Sequence, residues 1–200
     1  IFFAIFAIPL AYLIAKNNFR FKNVIMGIIN IPIVIPHSAA GIAILGLVSR
    51  NSTIGKFADS IGINFIDSPF GIAIAMAYVS IPFLILSAVN GFSEIPEKLE
   101  QAALNLGASR INVFFKIAIP LAKRSIFSGL ILMFSRGISE FGAVIMIAYF
   151  PTITPILIYD RFSSFGLENA RPIAAIFIFI CLSIFLVFYT ITNKNPNKIK

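Results

Sequence analysis

Arg136 and Glu140 are the residues whose types and spacing first invite chemistry, because they stand four apart inside the apolar run Ser125–Tyr149. A charge at the centre of a bilayer costs about 2.5–3.5 kcal/mol on insertion scales, so such groups by default face a protein interior or a pathway. Four apart near the middle of one helix, the two also neutralise each other on one face. Two readings stand: a structural ion pair, or a gate whose polar lining includes Ser135 and Ser139. The only histidine, His37, follows Pro32 and Pro36 in NIPIVIPHSAAGIAILG. Each proline removes a backbone donor, so the helix is expected to bend or open there. Such breaks are tolerated where the backbone meets protein or water. Pro36, His37, Ser38 and Gly41 therefore join Ser135, Arg136, Ser139 and Glu140 as candidate pathway residues, with a capping role the alternative for His37. No catalytic residue, metal site or cofactor is expected of this chain. It has one thiol, Cys181, no HxxxH or CxxC pair and no GxxxxGK[ST] phosphate loop.

The elements that must position these groups are read from composition. Hydrophobic residues make up 58% of the 200 residues and charged residues 12%, with 22 Phe and no Trp, whereas soluble chains are about 25% charged. Mean hydropathy is +0.95. The fold class is an all-α integral membrane protein, a single transmembrane domain with about five spans. They fall at 1–15, 24–48, 70–92, 125–149 and 172–191. None alternates apolar and polar residues as the strands of a membrane barrel do. The first run reaches only about 22 Å against a hydrocarbon core of about 30 Å. With Ile rather than Met at position 1, the expectation is that the native N-terminal part is missing.

Loop charges give the orientation. Lys16, Arg20 and Lys22 make the first loop basic; Lys98, Arg110, Lys116, Lys123 and Arg124 outweigh Glu94, Glu97 and Glu100 in the third; Lys194, Lys198 and Lys200 make the tail basic. The second loop balances Arg50 and Lys56 with Asp59 and Asp67, and the fourth balances Arg161 and Arg171 with Asp160 and Glu168. Basic segments lie in the cytoplasm, so the C-terminus is expected inside. The net charge of +8 then follows from membrane topology and needs no nucleic acid.

Between the third and fourth runs lies a polar block, 93–124. Helix–helix connections take about two to eight residues, and this one takes about thirty. Pro96 suits a first helical turn, and Glu97–Leu104 are strong helix formers. Gly107 suits a helix C-terminus, and Ser109 caps a second helix from Arg110 to about Ile117. Pro120 ends that helix or starts the next element. Leu99, Ala102, Ala103 and Leu106 share a face, shallow enough to enter another protein's groove.

Gln101-Ala102-Ala103, three residues, Gly107, nine residues, then Ile117-Ala118-Ile119-Pro120 resembles the signature loop of ABC importer permeases. That family reads Glu-Ala-Ala, three residues, Gly, nine residues, Ile-x-Leu-Pro. Gln101 stands for its Glu and Ile119 for its Leu; Glu100 supplies an acid one position early. The resemblance implies that this loop is a coupling helix docking on a cytosolic ATPase through Glu100, Gln101, Ala102, Ala103 and Gly107, with Ile117 and Pro120 completing the motif.

The proline-rich start of the second run and Arg136, Glu140, Phe141, Gly142 after the loop resemble the molybdate, tungstate and sulfate group of these permeases. The outer segment AYFPTITPILIYDRFSSFGLENARPIAA looks most like archaeal-type tungstate/molybdate permeases, although Ser139 stands where bacterial molybdate permeases commonly have glycine. The resemblance implies a permease homodimer in a prokaryotic cell membrane, two ATPase subunits carrying ATP and Mg, and an extracytoplasmic oxyanion-binding protein meeting Arg50–Pro69 and Phe150–Arg171. Within the first of these loops, Ser52 is expected to cap a short helix, Thr53–Ile61. Sulfate is the alternative substrate. A stand-alone secondary transporter would show inverted repeats, and no convincing repeat is present. A pathless assembly subunit would leave Arg136–Glu140 and the two prolines unexplained.

Overall fold

A computed structural model describes residues 2–193, and among these there are helices and no strand. The tail lysines Lys194, Lys198 and Lys200 lie outside the described residues. The helices are α1 (Ala4–Lys16), α2 (Lys22–Val34), α3 (His37–Val48), α4 (Thr53–Ser60), α5 (Pro69–Ser93), α6 (Glu97–Asn105), α7 (Arg110–Val113), α8 (Ile119–Ile138), α9 (Gly142–Ile147), α10 (Thr154–Phe165) and α11 (Leu167–Asn193), with a π-helical turn at Phe114–Ala118. Three stretches are long and apolar enough to cross a membrane: α5, the run Arg110–Ile138, and Leu167–Thr190 of α11. The pair α2 and α3 makes a fourth if it is one span, bent by 112°, and α1 is a shorter apolar helix. Each of the five expected runs is thus helical, and about five is an approximate count of spans.

The described residues form two compact units. One holds those up to Ile29 together with Ile81–Phe134; the other holds Asn30–Ser80 and Ser135–Ile191. In the first, α1 buries Ala4, Ala7, Ala11 and Ile14, a stripe at helical spacing, against Leu84, Ala88 and Phe92 of α5 and Ala118, Ala122 and Ile126 around the start of α8. Here α5 and α8 approach closely through small residues four apart on both helices. The Ser87 hydroxyl donates to the Ser125 carbonyl at 2.6 Å. A Cβ on Gly91 would lie 2.4 Å from the Ser125 Cβ, and one on Gly129 2.8 Å from the Ser87 Cβ. Small residues serve this purpose in membranes, where close backbone approach supplies the packing that water-driven burial does not. In the second unit, Ile44 and Val48 of α3, Ile72, Ala75 and Val79 of α5, Val144 and Ile147 of α9, and Ile156 of α10 share a core.

Local chemistry explains the helix ends. The Ser52 hydroxyl accepts from the Gly55 N–H at 2.9 Å and starts α4. The expected break in the second run occurs at Pro36, which is extended (φ −56°, ψ 131°) and precedes α3. Pro32 is carried inside α2, which continues past it to Val34, so of the two prolines it is Pro36 at which the helix opens. Pro36 also disfavours helix at the residue before it, so the chain turns there.

Two boundaries differ from the sequence reading. The helix starting at Ser109 does not stop near Ile117: it passes through the π-turn, where the Ile119 N–H reaches back to the Phe114 carbonyl, and continues as α8 to Ile138. Pro120, at the second position of α8, is accommodated without a break. The run Ser125–Tyr149 is not one helix either. It breaks at Ser139–Phe141 and restarts as α9. Arg136 is therefore in the last turn of α8 and Glu140 in the break, not together in the middle of a span.

Candidate functional site

Block 93–124 belongs to the first unit. Pro96 is the N-cap of α6 rather than a first-turn residue. At the other end Gly107 has φ +88°, the left-handed conformation that a Cβ disfavours. Its N–H donates to Leu104 at 2.9 Å, and the Ala108 N–H to Ala103 at 3.0 Å, so the last carbonyls of α6 are satisfied. Ser109 accepts from the Asn112 N–H at 3.2 Å and caps α7. Gln101, Ala102, Gly107 and Pro120 are exposed, and Ala103 and Ile117 half-buried. Leu106 (89% exposed), Ile111 and Phe115 add exposed apolar surface.

Glu100 points the other way. Its residue is only 9% exposed. One carboxylate oxygen pairs with Lys16 Nζ at 3.0 Å, and the other accepts from the Tyr12 hydroxyl at 3.0 Å. Lys16 also donates to the Ile95 carbonyl at 2.9 Å. The side chain is thus spent inside the protein and is not on the exposed face of α6. Sequence reasoning missed this because the partners are some eighty residues away; the only signal was Tyr12 and Lys16, one helical turn apart.

The candidate pathway residues lie in the second unit. Arg136 Nη2 sits 3.1 Å from Glu140 Oε2, and His37 Nδ1 lies 3.1 Å from the same oxygen. Arg136 Nη2 also lies 2.8 Å from His37 Nε2. Arg136 Nη2 is as near to His37 Nδ1, at 2.6 Å, so the guanidinium lies against both ring nitrogens. Glu140 is 1% exposed, and its other oxygen accepts from the Ala143 N–H at 2.8 Å, so it caps the first turn of α9 where a negative charge is favoured. The pair is therefore a trio. The sequence named His37 as a pathway candidate beside Arg136 and Glu140, but not its contact with them.

Gly41 brings α3 onto α9: a Cβ there would lie 2.7 Å from the Ala143 carbonyl oxygen. Ser38 and Pro36 are exposed. The Ser139 hydroxyl is exposed and returns to the Ser135 and Arg136 carbonyls at 3.2 Å, so it does not reach the charged groups of the trio. With Arg136 and Glu140 compensating one another, the trio offers no free positive charge to an anion.

The two loops expected outside are stitched together. Asp67 accepts from the Tyr149 N–H at 2.7 Å, and its own N–H donates to Ile147 at 3.3 Å. The Tyr149 hydroxyl donates to Asp160.

Residues 7–195 match the model of the family described as binding-protein-dependent transport system inner membrane component. The chain belongs to that family. It is a multi-pass membrane protein and a transport subunit. It is 42% identical over 190 residues to the molybdate/tungstate transport system permease protein WtpB of Pyrococcus abyssi, covering 95% of this chain and 71% of the relative. Against the protein of the same description from Methanocaldococcus jannaschii it is 42% identical over 181 residues, 90% of this chain and 71% of the relative. Against the sulfate transport system permease protein CysT of Salmonella typhimurium it is 29% identical over 198 residues, 97% and 72%. The resemblance to oxyanion permeases, with the molybdate/tungstate proteins ahead of the sulfate ones, therefore holds at the level of the whole chain.

Proposed function

We propose that this chain is the membrane-spanning permease subunit of an ATP-driven importer for molybdate or tungstate. One observation carries the reading: relatives described as molybdate/tungstate permeases are 42% identical along at least 90% of the chain. The geometry supports it. An exposed helical block with apolar and small residues, ended by a left-handed glycine, is a surface for a soluble partner. That partner is a pair of cytosolic ATPase subunits, which hold the ATP and Mg, and the chain works as a homodimer with its C-terminus inside. An extracytoplasmic binding protein delivers the oxyanion to the stitched loops. Nucleotide binding closes the ATPases, and α6 carries that motion into the spans.

Selectivity resides in the binding protein. The self-compensated trio fits this: a tight anion site within the membrane slows release, and conduction needs weak binding. The test is uptake of molybdate, tungstate and sulfate, side by side, into vesicles holding the permease, its ATPase and its binding protein. ATP-dependent uptake of the first two in preference to sulfate is expected. Preferential sulfate uptake would reassign the substrate, and uptake without the ATPase would replace the importer reading by a secondary transporter.

A further inference from the structure

Two residues of α1 reach the coupling block at several points. Lys16 holds Glu100 in the first turn of α6, and also the Ile95 carbonyl just ahead of that helix. Tyr12, one turn earlier on the same face, donates to the other Glu100 oxygen. Its ring meets Phe92 edge-on at 5.2 Å and Phe114 at 4.9 Å, the last turn of α5 and the first residue of the π-turn. The side chains of Lys16 and Glu100 are each 12% exposed, so water and salt screen the pair less than they would at a surface.

A short helix pushed from outside tilts or slides unless it is tied to what must move. The nine-residue α6 buries little apolar surface of its own, since Leu99, Leu104 and Leu106 are exposed. What holds it is polar and leads to α1. We propose that Lys16, Tyr12 and Glu100 form a strut that makes the last turn of α1 follow α6, so that ATPase closure is delivered to α1. The strut rests on the importer reading given above and assigns Glu100 a positioning role inside the permease, in place of a contact with the ATPase.

The test uses the full complex of permease, ATPase and binding protein, with wild type, Glu100→Gln, Lys16→Met and the double Lys16→Met/Glu100→Gln. Three quantities are read: ATPase copurification, oxyanion taken up per ATP hydrolysed, and hydrogen exchange of the α1 amides near Asn17 with and without trapped nucleotide. The single variants are expected to keep the ATPase but to lose about five- to tenfold in uptake per ATP, the scale of partners in one ionic network. The double variant, which leaves no unpaired charge, should fold as well as wild type and be no more uncoupled than either single. The nucleotide-dependent exchange change in α1 should be present in wild type and absent in all three variants. If that change and normal coupling persist in the double variant, the strut is wrong. Loss of ATPase copurification in Glu100→Gln would make Glu100 a docking contact and would also overturn it. A wild-type chain that neither retains an ATPase nor takes up oxyanion removes the importer reading itself, and the strut with it.

Discussion

Arg136, His37 and Glu140 show how unequal the members of one cluster are. Glu140 is 1% exposed, whereas the Arg136 side chain retains 25% exposure. Removing one partner of a buried pair costs about 3–5 kcal/mol, because the other charge stays behind unpaired. Arg136→Met leaves the deeply buried carboxylate and should approach that range. Glu140→Gln leaves a guanidinium that water still reaches, and its amide oxygen can still accept from Ala143, so the cost should be smaller. The expected order of membrane-protein yield is wild type, then the double variant, then Glu140→Gln, then Arg136→Met. Equal yields for both singles would mean that water reaches Glu140 as freely as Arg136. The same double variant separates the two readings of the pair: retained uptake per ATP leaves a structural pair, and ATP hydrolysis without uptake identifies a gate. The chain announced the Arg136–Glu140 pairing through its spacing. It did not announce the contact with His37, because nothing local links position 37 to position 140.

Among the elements, those fixed by neighbours in sequence were the legible ones. Ser52, Ser109 and Gly107 do what their types dictate at helix ends, and Pro36 breaks the second run. The break at Ser139–Phe141 was hidden because the surrounding residues are as apolar as a continuous span. The run through Pro120 was hidden because a π-turn has no marker in composition. The approach of α5 and α8 was not read either, although Ser87 and Gly91 on one helix and Ser125 and Gly129 on the other share a four-residue spacing. It yields a controlled prediction. Gly129→Val would drive a branched side chain into Ser87 and the Leu84 backbone, and overpacking costs about 1–3 kcal/mol. A Cβ on Gly27 meets nothing within 4 Å, so Gly27→Ala should be neutral or slightly stabilising. Melting of the detergent-solubilised protein checks both, and equal midpoints would remove the close-packing argument. Gly107 gives the companion test. Open space surrounds it, so only its φ matters, and a left-handed conformation costs a residue with a Cβ about 1–2 kcal/mol. Asparagine tolerates that conformation better than valine does. Gly107→Asn should therefore keep uptake and Gly107→Val should lose it, with both inserted. Equal uptake by the two would show that the helix end carries no signal.

At the scale of the molecule, function depends on which side each polar segment faces, and loop charge is the physical determinant. The block around α6 carries more Lys and Arg than Asp and Glu, whereas the loops holding α4 and α10 are balanced. Positive loops stay on the cytoplasmic side. The folded chain makes the assignment testable with single thiols in a Cys181→Ala background, because Lys98, Ser60 and Ser164 are all exposed and substitution at each disturbs no core. A membrane-impermeant maleimide should label a cysteine at Lys98 only after the cytoplasmic face is opened. It should label cysteines at Ser60 and Ser164 in intact cells. Labelling at Lys98 from outside would invert the chain. The block would then face away from any ATPase, and the coupling role of α6 would fall even with every contact around Glu100 unchanged. Ser60 and Ser164 must also agree with each other. The stitch from Asp67 to Tyr149 joins their loops, so opposite labelling at the two sites is incompatible with the fold itself.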